Sequence, residues 1–349
     1  MKNIIEKVAS NMLSINKAFS DEPCPISIVD INKWEWAQGV GMYGLYRYYE
    51  VTGDKFYYDF LRDWYDKRIA EGLPSKNINT CSPLLTFTYV CQDRPDYKEI
   101  IEEWAQWLMN ELPRTPEGGF PHYGSVGYCD DQIWDDTIFM GVLFLARAGI
   151  VLGREDYLEE TKLQFLIHMR YLTDLKTGLM YHAWNFADRS NFGKALWGRG
   201  NCWITVAIPD YIDIMGDNLE SGIKRFLIGV LSSQIEALKN CQAESGMWHT
   251  LLDDPDSYEE SSATSGFCYG IHKAIRLGYV GEEYKECAKK SLDAMISQVD
   301  EKGVVQNVSY GTTCKYELDY YRNIKKCPMT YGQALAIMCI SEGMREYND

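Results

Sequence analysis

The segment TIFMGVLFLARAG, residues 137–149, decides the fold, because it is apolar nearly all round and Arg147 is its one charged residue. A helix without a polar face must be buried on every side. The break GREDY follows at 153–157, and residues 157–172 then carry apolar side chains on one helical face only. The pattern predicts a hairpin in which a fully buried inner helix packs against a half-buried outer helix.

The same unit recurs along the chain, with a polar break of Gly or Pro and an acidic residue between two helices. The breaks are residues 52–57, 92–97, 153–157, 216–218 and 278–284. Residues 331–347 predict a last apolar helix, and residues 1–19 can supply its partner from the other end of the chain. Six hairpins that close on themselves predict an all-α fold, the (α/α)6 barrel or six-hairpin toroid. An open α-solenoid is the structural alternative. No linker interrupts the pattern, so we expect one catalytic domain over 1–349.

The charge balance limits the partners that the protein can have. The chain has 35 Lys and Arg against 50 Asp and Glu, a net charge of −15. Such a surface does not attract nucleic acid or an anionic membrane, so neither is expected as a partner. A small anionic substrate remains compatible where a local Arg or Lys overrides the overall field. The assembly is expected to be a monomer or a homodimer.

Cysteine usage and the amino-terminal segment favour a cytoplasmic location. The 11 cysteines are scattered without metal-ligand spacing, which is typical of reduced thiols inside a cell. Residues 1–20 are interrupted by Glu6 and Lys7 and do not resemble a signal peptide, and no apolar run approaches the ~20 residues of a transmembrane helix. Because no His, Cys or Asp cluster has ligand spacing, we expect neither a metal nor an organic cofactor.

Long connectors between the hairpins carry the candidate functional residues. They cover residues 111–133, 174–205, 243–264 and 300–328, and each is rich in Gly, Trp, Tyr and His. Loops of this length are uncommon in compact domains unless they are functional. In a closed ring of hairpins these connectors emerge on one face, so we expect them to build a single cleft.

Two adjacent acids, Asp135 and Asp136, stand where a connector meets the inner helix of 137–149. One interpretation is N-capping, in which an Asp oxygen accepts a backbone N–H. The other is a catalytic carboxyl group that faces the cleft. The helix dipole would lower its pKa, whereas an adjacent acid and an aromatic lid would raise it.

Three further motifs combine polar and aromatic residues. WGRGNCW at 197–203 places Arg199 between two glycines and two Trp residues, which suits a bidentate grip on a carboxylate. A turn with a surface Arg stacked on Trp is the plainer alternative. GLMYHAW at 178–184 contains His182, which a structural hydrogen bond could also explain. The segment 246–264, with His249, predicts a loop that leads into an inner helix capped by Ser or Thr.

Seven segments in order along nearly the whole chain resemble glycoside hydrolase family 105, the unsaturated rhamnogalacturonyl hydrolases. They are WEWAQGVGMYGL (34–45), INTCSPLL (78–85), IWDDTIFM (133–140), GLMYHAW (178–184), WGRGNCW (197–203), GMWHTLLDDPDSYEESSAT (246–264) and YGQALAIM (331–338). The resemblance implies an (α/α)6 barrel. It also implies release of a 4,5-unsaturated uronic acid from the non-reducing end of lyase-generated oligosaccharides, as in pectin degradation.

The resemblance also implies roles for individual residues. An acid protonates C4 of the double bond, water adds at C5, and the hemiketal opens so that the glycosidic bond breaks. The family's acid matches Asp136, which would then act as base on water. Arg199 would hold the uronate carboxylate. The expected substrate contacts are His182, Arg199, Trp203, Trp197, Trp36, Asn79, Asp135 and His249.

The sequence departs from the family pattern at three places, one of which is Asp135, an extra acid beside Asp136. Asn79 stands where some relatives carry a second acid, so its amide would position water or substrate. The stretch YGSVGYCDD at 123–131 lacks a His-Lys pair that some relatives place before the catalytic Asp, which leaves the second sugar open. The alternatives are another (α/α)6 enzyme, an inverting glycosidase or a sugar epimerase, and a non-catalytic sugar-binding toroid. An inverting enzyme needs two carboxyl groups across the cleft.

Overall fold

The computed structural model describes residues 1–15, 30–124, 127, 129 and 131–347. Residues 16–19 of the predicted first helix, Cys24 and part of the stretch 123–131 lie outside the described residues. The helices in chain order are α1 (Lys2–Ser14), α2 (Trp36–Thr52), α3 (Lys55–Glu71), α4 (Ile78–Val90), α5 (Tyr97–Gln106), α6 (Leu143–Leu152), α7 (Glu155–Leu172), α8 (Gly198–Met215), α9 (Ser221–Cys241), α10 (Ser261–Arg276), α11 (Lys285–Ser297), α12 (Leu318–Arg322) and α13 (Thr330–Tyr347). The two described strands are β1 (Gln132–Trp134) and β2 (Ala183–Asn185), which pair antiparallel.

The inner helices form a closed ring. Along the chain α2 contacts α4, α4 contacts α6, α6 contacts α8, α8 contacts α10 and α10 contacts α13, and α13 then packs against α2. The amino-terminal helix α1 packs on α13, as the pairing of the chain ends predicts. The (α/α)6 barrel is therefore confirmed, and the open solenoid is excluded.

Burial separates the inner helices from the outer ones. The inner helix α4 is buried at every position except Tyr89. The outer helix α3 buries only four residues, Tyr57, Leu61, Trp64 and Tyr65. At the hairpin breaks Gly53 and Gly153 adopt φ of 68° and 66°, the left-handed conformation that ends a helix at low cost when no Cβ is present. The predicted breaks thus coincide with real helix ends.

Three local predictions need correction. The motif at 197–203 lies in the first turns of α8 rather than in a connector, so Arg199 is helical. The inner helix α10 is capped by the carboxylate of Glu260, which accepts the N–H groups of Ser262 and Ala263, and not by Ser or Thr. The segment 137–149 enters its helix through a wide π-helical turn, Ile138–Val142, and the helix continues to Leu152.

The direction of the inner helices positions the site. Each outer helix returns the chain to the same end of the ring, so the inner helices run parallel and their amino termini gather at one end. The long connectors lie at that end as well. Among the described helices, none is both long and apolar enough to cross a membrane.

Candidate active site

A cavity of about 240 Å³ opens at the end of the barrel where the inner helices begin. Its buried lining includes Trp36 at the start of α2, Asn79 at the start of α4, Arg199 at the start of α8, and Trp197. More exposed residues form the rim: Gly127, Cys129, Gln132, Thr313, Cys314 and Lys315. Asp136 also lines the cavity. Because each helix amino terminus carries partial positive charge, this end of the barrel favours an anion.

The two-stranded sheet fixes the acidic pair beside His182. In the register of β1 and β2, Trp134 is opposite Ala183. The N–H of Asp135 then donates to the carbonyl of His182 at 3.1 Å. The acidic pair and His182 are therefore neighbours because their two connectors pair as strands.

Asp136 contacts the imidazole ring of His182. The Nε2 atom of His182 lies 3.3 Å from Oδ2 of Asp136. Burial opposes ionisation of Asp136, yet the His182 contact, together with the nearby His122, lowers its pKa below the ordinary value. Burial also lowers the pKa of His182, so that ring is neutral at neutral pH. Asp136 is thus a carboxylate in the resting site.

Asp135 is fully buried beside Asp136 and does not line the cavity. Neither of its carboxyl oxygens has a hydrogen-bond partner among the described groups. Burial and the adjacent charge of Asp136 raise its pKa well above the ordinary value. Two buried acids in contact cannot both ionise, so the pair holds one proton. Capping of the helix does not describe this arrangement.

Gly200 makes room for Asp135. A Cβ atom on Gly200 would lie 2.2 Å from Oδ2 and 2.8 Å from Cγ of Asp135. Gly198 is similarly close to the carbonyl of His249, at 2.9 Å from such a Cβ. The glycines that flank Arg199 therefore allow other groups of the protein to pack closely against the backbone. The sequence had suggested that they allow a ligand to approach.

Arg199 is almost completely buried, with 1% of its surface exposed. Its Nη1 donates to the Ser262 hydroxyl at 3.4 Å and to the Ser309 carbonyl at 3.2 Å and hydroxyl. Its Nη2 donates to the Tyr310 carbonyl at 2.7 Å and the Thr312 hydroxyl at 2.8 Å. Four Nη hydrogens are thus engaged by protein oxygens, and the connector before α13 is tied to α8.

The guanidinium group of Arg199 also lies between two aromatic rings. Its Cζ atom is 4.6 Å from the ring centroid of Trp197 and 4.9 Å from that of Tyr331. Its Nε has no hydrogen-bond partner among the described groups. The surface-Arg alternative is wrong, because the side chain is buried in the cavity wall.

Three other predicted contacts are not among the described residues that line the cavity. Trp203 is fully buried, with its ring 6.3 Å from Trp36 and 5.0 Å from Phe139, so it supports the lining from below. The ring of His249 faces the carbonyl of Ser257 and is not among the described lining residues. His182 acts on the cavity through Asp136 rather than by lining it.

His122 and Lys315 are among the lining residues that the sequence did not single out. His122 stacks on Trp134 with ring centroids 4.4 Å apart and an interplanar angle of 6°. Its Nδ1 lies 3.0 Å from the Thr137 hydroxyl, and burial lowers its pKa to about 4. The chain has only five histidines, so a histidine in a long connector was a usable signal here, as it was for His182. Lys315 had no such signal.

One group of side chains has atom types that suit a metal. Ligand atoms of Asp135, Asp136 and His182 lie within 4.8 Å of one another. Nδ1 of His182 lies 2.8 Å from the Tyr321 hydroxyl, and Nε2 lies 3.3 Å from Oδ2 of Asp136 without a hydrogen bond to a described group. The geometry is that of an acid pair oriented by a histidine.

Comparison with known proteins identifies the family. The family model described as Glycosyl Hydrolase Family 88 matches residues 4–347. The unsaturated rhamnogalacturonyl hydrolase YesR of Bacillus subtilis (strain 168) is 34% identical over 319 residues, which are 89% of this chain and 90% of that protein.

Solved structures agree with this result. A crystal structure described as "a possible member of GH105 family" from Salmonella enterica is 42% identical, with a TM-score of 0.94 over 99% of this chain and 94% of that chain. The unsaturated glucuronyl hydrolase from Bacillus sp. GL1 is 16% identical, with a TM-score of 0.72 over 99% and 95%, and shows the shared fold. The resemblance to glycoside hydrolase family 105 is confirmed. This chain therefore belongs to the family that the Glycosyl Hydrolase Family 88 model describes, and it is a glycoside hydrolase.

Proposed function

We propose that this glycoside hydrolase removes a 4,5-unsaturated uronic acid from the non-reducing end of a small lyase-generated oligosaccharide. One observation carries the proposal: among the described residues that line the cavity, Asp136 is the one carboxylic acid. An inverting glycosidase needs a second carboxyl group across the cleft, about 6.5–9.5 Å away. Hydration of a double bond needs one group that gives a proton and then takes one.

Asp136 and Asp135 supply the proton in this proposal. The pair holds one proton, and the resting site keeps it on Asp135. An anionic uronate that enters beside Asp136 adds negative charge, which favours the protonated form of Asp136. Asp136 then protonates C4 and, as a carboxylate, accepts a proton from the water that attacks C5.

The rest of the reaction follows from the hydrated sugar. The hydroxyl at C5 makes a hemiketal, which opens to a ketone at C5 and leaves a hemiacetal at C1. That hemiacetal collapses to an aldehyde, and the glycosidic oxygen leaves with a proton as an alcohol. One water is consumed and the double bond is lost. The protein contributes the proton transfers and the orientation of the uronate.

The cavity favours an anionic sugar. Inner-helix amino termini surround it, Arg199 is buried in its wall, and Lys315 is an exposed cation on its rim. Trp36 and Trp134 supply apolar surface for a sugar ring, and Trp197 supports the wall behind Arg199. Asn79, at the start of α4, would hydrogen bond water or substrate.

The finer assignments rest on relatives. YesR is named an unsaturated rhamnogalacturonyl hydrolase, and an Alteromonas relative that is 25% identical is named an unsaturated 3S-rhamnoglycuronyl hydrolase. We propose an unsaturated rhamnogalacturonan disaccharide as the substrate, and hence a role in pectin degradation, by a single-domain cytoplasmic enzyme.

The test is incubation with unsaturated disaccharides from lyase-digested rhamnogalacturonan, ulvan and hyaluronan. The expected result is loss of the absorbance of the unsaturated uronate, fastest with the rhamnogalacturonan product. Fastest loss with another disaccharide would reassign the second sugar. Retained absorbance with all three would contradict the proposed reaction.

A further inference from the structure

Tyr321 lies against the histidine that contacts Asp136. It stands on the short helix α12, is fully buried, and packs with Ala195, Trp197 and Leu251 in a small apolar cluster apart from the main core. Its hydroxyl oxygen lies 2.8 Å from Nδ1 of His182. The cluster therefore places one phenol hydroxyl on the side of the imidazole that faces away from Asp136.

The position of His182 is fixed independently of Tyr321. Its N–H donates to the carbonyl of Ala195 at 3.0 Å, and its carbonyl accepts the N–H of Asp135 at 3.1 Å. The ring packs on Trp197 with centroids 4.3 Å apart and meets Trp134 edge-on at 5.2 Å. These contacts do not determine which ring nitrogen of His182 carries the proton.

The hydrogen bonds of the Tyr321 hydroxyl favour hydrogen on Nε2 of His182. The oxygen accepts the N–H of Lys315 at 3.3 Å, so its own hydrogen is available to donate. The two acceptors within reach are Nδ1 of His182 at 2.8 Å and the sulfur of Cys314 at 3.5 Å. The imidazole nitrogen is the nearer and the stronger acceptor. Burial raises the pKa of Tyr321, so the phenol keeps its hydrogen.

A neutral imidazole that accepts at Nδ1 must carry its hydrogen on Nε2. The Nε2 atom is the one that lies 3.3 Å from Oδ2 of Asp136. We propose that Tyr321 is a positioning residue that holds His182 in the Nε2–H tautomer and so directs a hydrogen-bond donor at Asp136. The role rests on the proposed function of Asp136: this donor stabilises the carboxylate that accepts a proton from water.

The opposite tautomer would present a lone pair to the carboxylate of Asp136. That contact is repulsive and would favour the protonated acid, which cannot act as base. The titratable and charged groups around the ring come from several elements. They are Asp135 and Asp136 before α6, His122 in the preceding connector, Arg199 on α8, Cys314 in the last connector and Tyr321 on α12.

The test compares Tyr321→Phe with Tyr211→Phe in the full chain. The hydroxyl of Tyr211 is also buried and lies 3.0 Å from the Thr161 hydroxyl, away from the cavity. Each variant therefore loses one buried phenol hydroxyl and little volume. Nitrogen-15 NMR of labelled histidine rings reports the tautomer, and a His182→Gln spectrum assigns the signal among the five histidines.

We expect the wild-type protein and Tyr211→Phe to show His182 with hydrogen on Nε2. Tyr321→Phe should show the Nδ1–H form or a mixture. Its kcat on the unsaturated disaccharide should fall roughly tenfold, about the effect of one buried hydrogen bond, with little change in KM and a shifted pH profile. Tyr211→Phe should match the wild type in all three.

Three outcomes would overturn the proposal: hydrogen on Nδ1 in the wild-type protein, an unchanged tautomer in Tyr321→Phe, or equal kcat changes in both variants. If Tyr321→Phe does not fold, the wild-type spectrum alone supports or contradicts the assignment. If the wild-type protein does not act on any unsaturated disaccharide, the proposed function fails, while the tautomer measurement still tests the positioning of His182.

Discussion

An aspartate lies at each end of the barrel, and the two differ in how many hydrogen bonds they accept from the protein. Asp210, near the carboxyl end of α8, is fully buried, and its oxygens accept from Tyr43 at 2.8 Å, Tyr269 at 2.7 Å and Lys273 at 2.6 Å. Asp136, at the other end, lies beside His182 and Asp135, has no hydrogen-bond partner for its Oδ2 among the described groups, and opens on the cavity. A satisfied carboxylate holds the fold, whereas a carboxylate with unused bonding capacity is available to a substrate.

The helix dipoles also differ between the two ends of the barrel. Carboxyl termini of inner helices carry partial negative charge, and at that end Arg47, Lys273, Arg276 and Arg345 are paired with acids. Amino termini face the cavity, where Arg199 and Lys315 are the cations among the described lining residues. The barrel thus has one ion-paired end and one end that favours an anion.

Asp136→Asn should give the largest effect, because it removes the transferable proton and keeps the volume. We expect kcat to fall by at least about 10²-fold and by up to about 10⁴-fold, the range for positioned acid–base groups. The melting temperature should change little. Steady-state kinetics measure the fall in kcat, and thermal unfolding measures the melting temperature. An active Asp136→Asn beside an inactive Asp135→Asn would show that the catalytic residue is the neighbouring one.

Asp210→Asn should destabilise the ion-paired end of the barrel and leave the chemistry intact. Removal of the anion leaves Lys273 and Arg47 with less compensation, and breaking a buried pair destabilises by roughly 3–5 kcal/mol. Denaturant unfolding measures this loss, and kcat per folded molecule should stay near the wild-type value. A stable but inactive Asp210→Asn would contradict the division between the two ends.

Arg199→Ala should lower kcat/KM by the equivalent of roughly 2–4 kcal/mol and raise KM. Arg199→Lys separates charge from shape, because it keeps the cation and loses the fork that binds residues 309–312. If Arg199 acts through its charge on the uronate, the Lys variant recovers much of the loss. If it acts by holding the cavity wall, the Lys variant is nearly as impaired as Ala. Unchanged kinetics in both would remove Arg199 from the site.

Asp135→Asn should change the maximal kcat, reached at lower pH, less than the other variants do and should have a clear effect on pH dependence. Burial and Asp136 raise the pKa of Asp135, so the pair keeps its proton to higher pH than Asp136 would alone. With Asn at 135, the proton is lost at lower pH, and the alkaline limb of the kcat profile should move to lower pH. A profile that superimposes on the wild type would exclude proton sharing.

The fold was predictable because it depends on local patterns. The apolar segment 137–149 and the Gly and Pro breaks specify inner and outer helices without reference to distant residues. Asp136 could also be predicted from the sequence, since it belongs to a contiguous motif. By contrast, the roles of Gly200 and Tyr321 depend on contacts between remote segments: Tyr321 is 139 residues from His182 in the chain. Arg199 was identified, but its bonds to residues 309–312 join α8 to a distant connector, and no local pattern relates the two.

The most direct measurement is the wild-type reaction on an unsaturated disaccharide in D₂O, followed by NMR and mass spectrometry of the released sugar. If Asp136 protonates C4, the double bond disappears and the product carries one deuterium at C4 from that step. Ordinary hydrolysis at C1 would instead release the sugar with its C4=C5 double bond still present, so that the alkene signal outlasts the glycosidic bond and disappears only as the freed enol ether opens in solution. The first result is the one that this site predicts, and the second would contradict the assignment of Asp136 as the acid of a hydration reaction.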